Sequence, residues 1–154
     1  MSRKRSGFTL VEILIVVIIL GILAAIIIPQ FTDASSEARE STLTSNLQIL
    51  RSQIGLYKIQ HRDTYPDSTS TATFETALTT RTDEFGAASV AADALGPYMQ
   101  KIPANPFSDT ADPLFGFDGA VAAGGSHWDF DTTTGAITAN DGGTSPDGTA
   151  HSDL

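Results

Sequence analysis

The chain has 154 residues, no cysteine, and eighteen acidic against nine basic residues, for a formal charge of −9. No disulfide can staple such a fold, so packing or a metal has to hold it. Phosphate neutralisation needs Lys and Arg clustered on one face, and the acidic surplus argues against a nucleic-acid binder.

The first residues, Met1 to Gly7, form a short leader that carries Arg3, Lys4 and Arg5. Phe8-Thr9-Leu10-Val11-Glu12 follows, and then Ile13 to Ile28 without a charge. That run, with the five residues before it, matches the roughly 20 residues a helix needs to cross a bilayer. The basic flank predicts that Met1 stays cytoplasmic and the rest is exported. A secretory signal peptide is the plainer reading, but its apolar core is typically about 7 to 15 residues, and no A-x-A follows this run. Glu12 needs a reason, because an acid at the centre of a spanning helix costs about 2.5 to 3.5 kcal/mol, and less near the interface.

Ala34, Ala38, Leu43, Leu47, Leu50, Ile54 and Tyr57 then recur at helical spacing, opposite a polar face with Glu37, Glu40 and Gln48. The pattern predicts one helix from the apolar run to about Lys58, about 75 Å long for about 50 residues. Pro29 lies inside it and removes a backbone donor, which predicts a kink. Gly21 is a second weak point of about 1 kcal/mol relative to Ala. From Leu43 to Tyr57 the stripe is expected to pack the globular domain.

Beyond His61 the chain turns to Asp, Pro, Ser and Thr, with short helices expected over Phe74 to Leu78 and Ala88 to Met99. Three short strands follow: Leu114 to Phe117, His127 to Asp131 and Gly135 to Ala139. The last two read as a hairpin, with Trp128 and Phe130 on one face, joined by Ile137. The expected fold is α+β: a long amino-terminal helix, its hydrophobic half protruding, packed on a small carboxyl-terminal antiparallel β-sheet.

Chemistry-bearing motifs are sparse. His61, His127 and His151 have no paired metal-ligand spacing, and neither a P-loop nor G-x-S-x-G occurs, which argues against an enzyme. Ser126-His127 and Asp129 lie along one strand, where neighbours point to opposite faces, and make no triad. Counting from Asp129, the Gly and Glu places of an EF-hand loop hold Thr134 and Asn140. The tail from Asp141 to Leu154 mixes glycines with Asp141, Asp147 and Asp153; its composition fits a loop around a hard cation and a solvated tail equally well.

Lys4-Arg5-Ser6-Gly7-Phe8-Thr9-Leu10-Val11-Glu12 resembles the processing site of the type IV pilin and pseudopilin family. The resemblance implies peptidase cleavage between Gly7 and Phe8 and N-methylation of Phe8. It also implies that Glu12 serves in assembly, and that Gly21 and Pro29 are helix-weakening positions. The implied organisation is a leader at 1–7, a transmembrane or filament-core half-helix at 8–31, and an amphipathic half at 32–60. A globular pilin-like domain at 61–140 and an acidic tail at 141–154 complete it.

Tyr65-Pro66, Gly96-Pro97-Tyr98-Met99 and Ile102-Pro103-Ala104-Asn105-Pro106-Phe107 resemble major pseudopilins, with Asn105 where Asp is common and Phe107 where Trp is frequent. The lack of cysteine tilts the resemblance toward type II secretion. The implied function is a pseudopilus subunit that polymerises with itself and drives export of folded proteins. Its partners would be minor pseudopilins, a prepilin peptidase and an inner-membrane assembly platform, with no nucleic acid. The subunit would sit in the bacterial inner membrane as a single pass, its carboxyl-terminal domain periplasmic. Calcium bound in the carboxyl-terminal loop is a further implication, with Asp141, Asp147 and Asp153 as the available carboxylates. The alternatives are a type IV pilin of a surface filament, serving adhesion, motility or DNA uptake, and a monomeric membrane-anchored binding protein.

Overall fold

The computed structural model describes residues 7–108, 115–119 and 127–154. Arg3, Lys4 and Arg5 of the leader, Leu114 of the first expected strand and Ser126 lie outside the described residues. The chain forms two compact units, Met1–Ala38 and Arg39–Leu154.

Helix α1 spans Leu10–Gln60, 51 residues, and runs through Pro29 without a break in helical assignment. In the first unit its large apolar side chains find no cover: from Phe8 to Phe31 their exposure ranges from 44% at Ile27 to 84% at Phe8. It is long and apolar enough to cross a membrane. Pro29 has no N–H to give the preceding turn. Just beyond it, the Thr32 hydroxyl donates to the Ile28 carbonyl at 3.2 Å and the Ser36 hydroxyl to the Thr32 carbonyl at 3.1 Å.

In the second unit α1 supplies one wall of the core. Leu43, Leu47, Leu50, Ile54 and Tyr57 are buried, whereas Ala34 and Ala38, on the same stripe, are exposed. Helix α2, Thr71–Thr79, is opened by a capping box in which Ser70 and Thr73 satisfy each other's backbone N–H, and it buries Phe74, Ala77 and Leu78. Strands β1 (Phe115–Phe117), β2 (Trp128–Phe130) and β3 (Ile137–Ala139) form one sheet in that order. Phe74 binds helix to sheet, with its ring 4.7 Å from Phe115 and 4.8 Å from Phe130. Trp128 is fully buried and its indole N–H donates to the Pro103 carbonyl at 2.9 Å.

The long helix, the β2–β3 hairpin and the shared burial of Trp128, Phe130 and Ile137 agree with the expected fold. Two elements differ. The sheet is mixed: β2 and β3 are antiparallel, but β1 pairs parallel with β2, Phe115 opposite Trp128. Alternation along a strand carries no information on direction, so the sequence pattern does not distinguish the two pairings.

The helix expected over Ala88 to Met99 does not form. Thr82 bridges both Ala88 and Leu95, with Thr82 N–H to Leu95 O at 3.0 Å and Leu95 N–H to Thr82 O at 2.7 Å. Leu78 O takes the N–H groups of Tyr98 and Met99 at 2.9 and 3.1 Å. Backbone groups that a helix would pair locally are thus paired across the chain. Gly96, at φ +71°, adopts a left-handed conformation that few other residues tolerate.

Candidate functional site

Two places hold the residues singled out in the sequence: the start of α1 and the carboxyl-terminal tail. At the first, Gly7 and Phe8 precede the helix, and Phe8 is largely exposed. Thr9 is the N-cap. Its backbone N–H and its hydroxyl both donate to Glu12 Oε2 at 2.8 Å, and its Oγ1 accepts the Glu12 N–H at 3.3 Å.

This is a capping box, in which an N-cap Thr and an N3 Glu satisfy each other's orphan donors. The carboxylate also stands at the positive end of the helix dipole, where an anion is stabilised. Glu12 therefore serves the helix that carries it, through one of its two oxygens. Thr9 was not singled out from the sequence, although Thr9-Leu10-Val11-Glu12 matches the [ST]-x-x-E signature of this motif. Gly21 and Pro29 lie farther along the same helix, and nothing comes within 4 Å of a Cβ placed on Gly21.

The tail is folded against the domain. Asp141 and His151 meet at 2.8 Å, Oδ1 to Nδ1, with side chains only 6% and 2% exposed. The Gly143 N–H adds a bond to Asp141 Oδ1 at 2.7 Å, and Asn105 Nδ2 donates to Oδ2 at 2.6 Å. Asn105 Nδ2 also reaches the His127 carbonyl at 3.1 Å. The Arg51 guanidinium bonds the carbonyls of Ile137 and Leu154, drawing the chain end toward α1. The β-bridge Thr144–Ala150 and a 3-10 turn over His151–Asp153 complete the arrangement.

Asp141, Asp147 and Asp153 do not come together: among the described residues no three His, Cys, Asp or Glu side chains form a group that could hold a metal ion. Asp147 Oδ1 accepts the Thr149 N–H at 2.9 Å, and Asp153 meets the Ser152 hydroxyl at 3.5 Å. Calcium takes six to eight oxygen ligands, and these three carboxylates do not converge to contribute to such a set.

All three histidines are buried. His61 stacks on Tyr57 at 3.7 Å between centroids, with Nδ1 on Tyr57 O at 2.9 Å and Nε2 on Thr82 Oγ1 at 2.8 Å. His127 Nε2 bonds Ser108 Oγ. Desolvation lowers the His127 pKa from 6.5, partly opposed by the charge of Asp141.

The prokaryotic N-terminal methylation motif matches residues 2–28. The type II secretion system core protein G of Pseudomonas aeruginosa is 37% identical over 59 residues, 38% of this chain and 42% of that protein. Its counterpart from Dickeya chrysanthemi is 36% identical over 61 residues, 40% of each. The type IV narrow pilus major component PilA5 of Thermus thermophilus is 35% identical over 57 residues, 37% of this chain and 49% of that protein. The chain thus spans less than half the length of these relatives, and no solved structure matches it. The methylation motif at the start of the chain, these relatives, and a long amino-terminal helix joined to a small mixed sheet make the chain similar to the type IV pilins and pseudopilins.

Proposed function

We propose that the chain is the repeating structural subunit of a type II secretion pseudopilus, which polymerises to drive folded proteins across the outer membrane. The observation that carries this reading is a carboxylate, Glu12, seated at the start of a helix whose apolar side chains from Phe8 to Phe31 are left exposed. Cleavage between Gly7 and Phe8 would create an amino group at Phe8, and methylation preserves its charge. Oε1 of Glu12 accepts no bond among the described residues, which leaves it available to the Phe8 ammonium of a neighbouring subunit.

Each charge is costly in hydrocarbon and their pairing offsets much of that cost, so assembly is favoured and its register set. Gly21 to Pro29 is the segment that loses helical order in the filament. Before assembly the subunit resides in the inner membrane, with the leader cytoplasmic and the domain periplasmic. It meets the prepilin peptidase, the assembly platform and minor pseudopilins there. The core protein G relatives support type II secretion. The Thermus thermophilus relative favours a second reading, a type IV pilus subunit.

Mass spectrometry of the mature chain and electron microscopy test the proposal together. The expected result is a methylated Phe8 amino terminus and short filaments in cells that overproduce the chain, with Glu12→Ala processed but impaired in assembly. Long surface filaments would select the type IV pilus. An intact Met1 in membrane fractions would point to a monomeric anchored binding protein, and normal filament yield from Glu12→Ala would remove the role given to that carboxylate.

A further inference from the structure

We infer that the carboxyl-terminal tail is closed by the His151 imidazole in place of a divalent cation, so that its fold is independent of calcium. A carboxylate as buried as Asp141 persists only when its oxygens are paired and hydrogen-bonded. Here the donors are all internal: His151 Nδ1 and the Gly143 N–H on Oδ1, and the Asn105 amide on Oδ2. Because a carboxylate only accepts, the proton in the His151 contact lies on Nδ1.

The backbone is shaped around this ring. A Cβ on Gly143 would lie 2.7 Å from the imidazole Cε1 and Nδ1 and 2.8 Å from Asp141 Oδ1, so only glycine admits His151 there. On its other side the ring packs on Phe107, 4.4 Å between centroids. His151 Nε2 is buried with no hydrogen-bond partner among the described residues, so the ring is held through Nδ1 and by packing.

Asn105 and Phe107, which stand where the pseudopilins that the chain resembles commonly have Asp and frequently have Trp, both touch this pair. An Asp at 105 would set a second carboxylate against Asp141, an arrangement that calls for a cation; the Asn amide supplies a donor instead. The inference concerns the tail alone and holds whether or not the chain polymerises.

The test uses the full-length chain in detergent micelles, followed by thermal unfolding. The melting temperature is expected to be the same in EDTA and in millimolar calcium chloride, and calorimetric titration with calcium chloride to give no binding heat. His151→Ala is expected to lower the melting temperature by about 5 °C, and Gly143→Ala to lower it as well. His151→Asn, whose amide can take the place of Nδ1–H, is expected to recover part of the loss. A wild-type melting temperature that rises in calcium chloride over EDTA would overturn the inference, as would His151→Ala melting with the wild type. If His151→Ala fails to fold, the calcium comparison on the wild type and the Asn variant still decides.

Discussion

Arg51→Met is expected to destabilise the second unit by about 2 kcal/mol. The Arg51 guanidinium projects from α1 and gives Nε and Nη2 to the Ile137 carbonyl at 3.3 and 3.0 Å, and Nη1 to the Leu154 carbonyl at 2.9 Å. Hydrogen bonds from a charged donor contribute about 1.5 to 3 kcal/mol each. The two contacts to Ile137 share one acceptor and count once, and the exposure of the side chain keeps both terms at or below the low end. Met preserves the packing of the stem, which isolates the polar contribution.

With a urea dependence of about 1 to 3 kcal/mol per M, the unfolding midpoint should fall by about 1 M. Trp128 is the single tryptophan, fully buried on β2 beside the strand that Arg51 holds, so its fluorescence reports the transition. Amide exchange at the chain end supplies a local readout, because the Leu154 N–H bonds only weakly, to His151 O at 3.4 Å. A midpoint shift below about 0.3 M, with unchanged exchange at Leu154, would refute the reasoning.

Gly135→Ala should cost about 3 kcal/mol, since the residue sits at φ +74° and its Cβ would run into the Tyr65 ring, 2.6 Å from the hydroxyl; a urea midpoint within error of the wild type would contradict this. Burial, then Tyr98, Asp67 and Asp83, push the Tyr57 pKa from 10.0 up to about 12. The native state thus holds this proton longer than the unfolded chain does, and the associated stability, complete below pH 10.0, is lost as pH rises toward about 12. Tyrosinate absorbance should show late titration from Tyr57 and from Tyr98, whose pKa burial also raises, and the component near pH 12 should disappear in Tyr57→Phe. His127 works in the opposite direction: its lowered pKa means that the unfolded chain binds the proton first, so stability present above pH 6.5 declines as the pH falls below it. Urea midpoints on either side of pH 6.5 test this, and His127→Gln should flatten the slope.

Elements governed by local periodicity were legible before the structure was known. The stripe from Leu43 to Tyr57 is buried as its spacing predicts, and Trp128 and Phe130 share the inner face of a strand, because a half-buried element writes its geometry into every second or fourth residue. Ala88 to Met99 reads as a helix and does not form one because its backbone partners, Leu78 and Thr82, lie elsewhere in the chain, and composition cannot announce them. The Asp141–His151 contact is not legible for the same reason. Asp141 and His151 are ten residues apart without helical or strand spacing, and only the folded loop, with Gly143 against the ring, makes them partners. Thr9 differs, because its capping signature, Thr9-Leu10-Val11-Glu12, is local and therefore legible in the sequence.

That local partner changes the energetics of the proposed assembly. A carboxylate already held by Thr9 through Oε2 does not wait in the bilayer as a bare charge, so a neighbour's ammonium at Oε1 would gain less than it would from an unpaired acid. Docking then adds a second partner to a charge that is partly satisfied, and its net free energy is smaller than pairing two bare charges would give. A contact of that kind is more readily reversed, and a polymer built on it loses subunits more easily than one built on the pairing of bare charges. Its direction would be set by subunit supply and by mechanical work from the machinery that extracts the chain from the membrane.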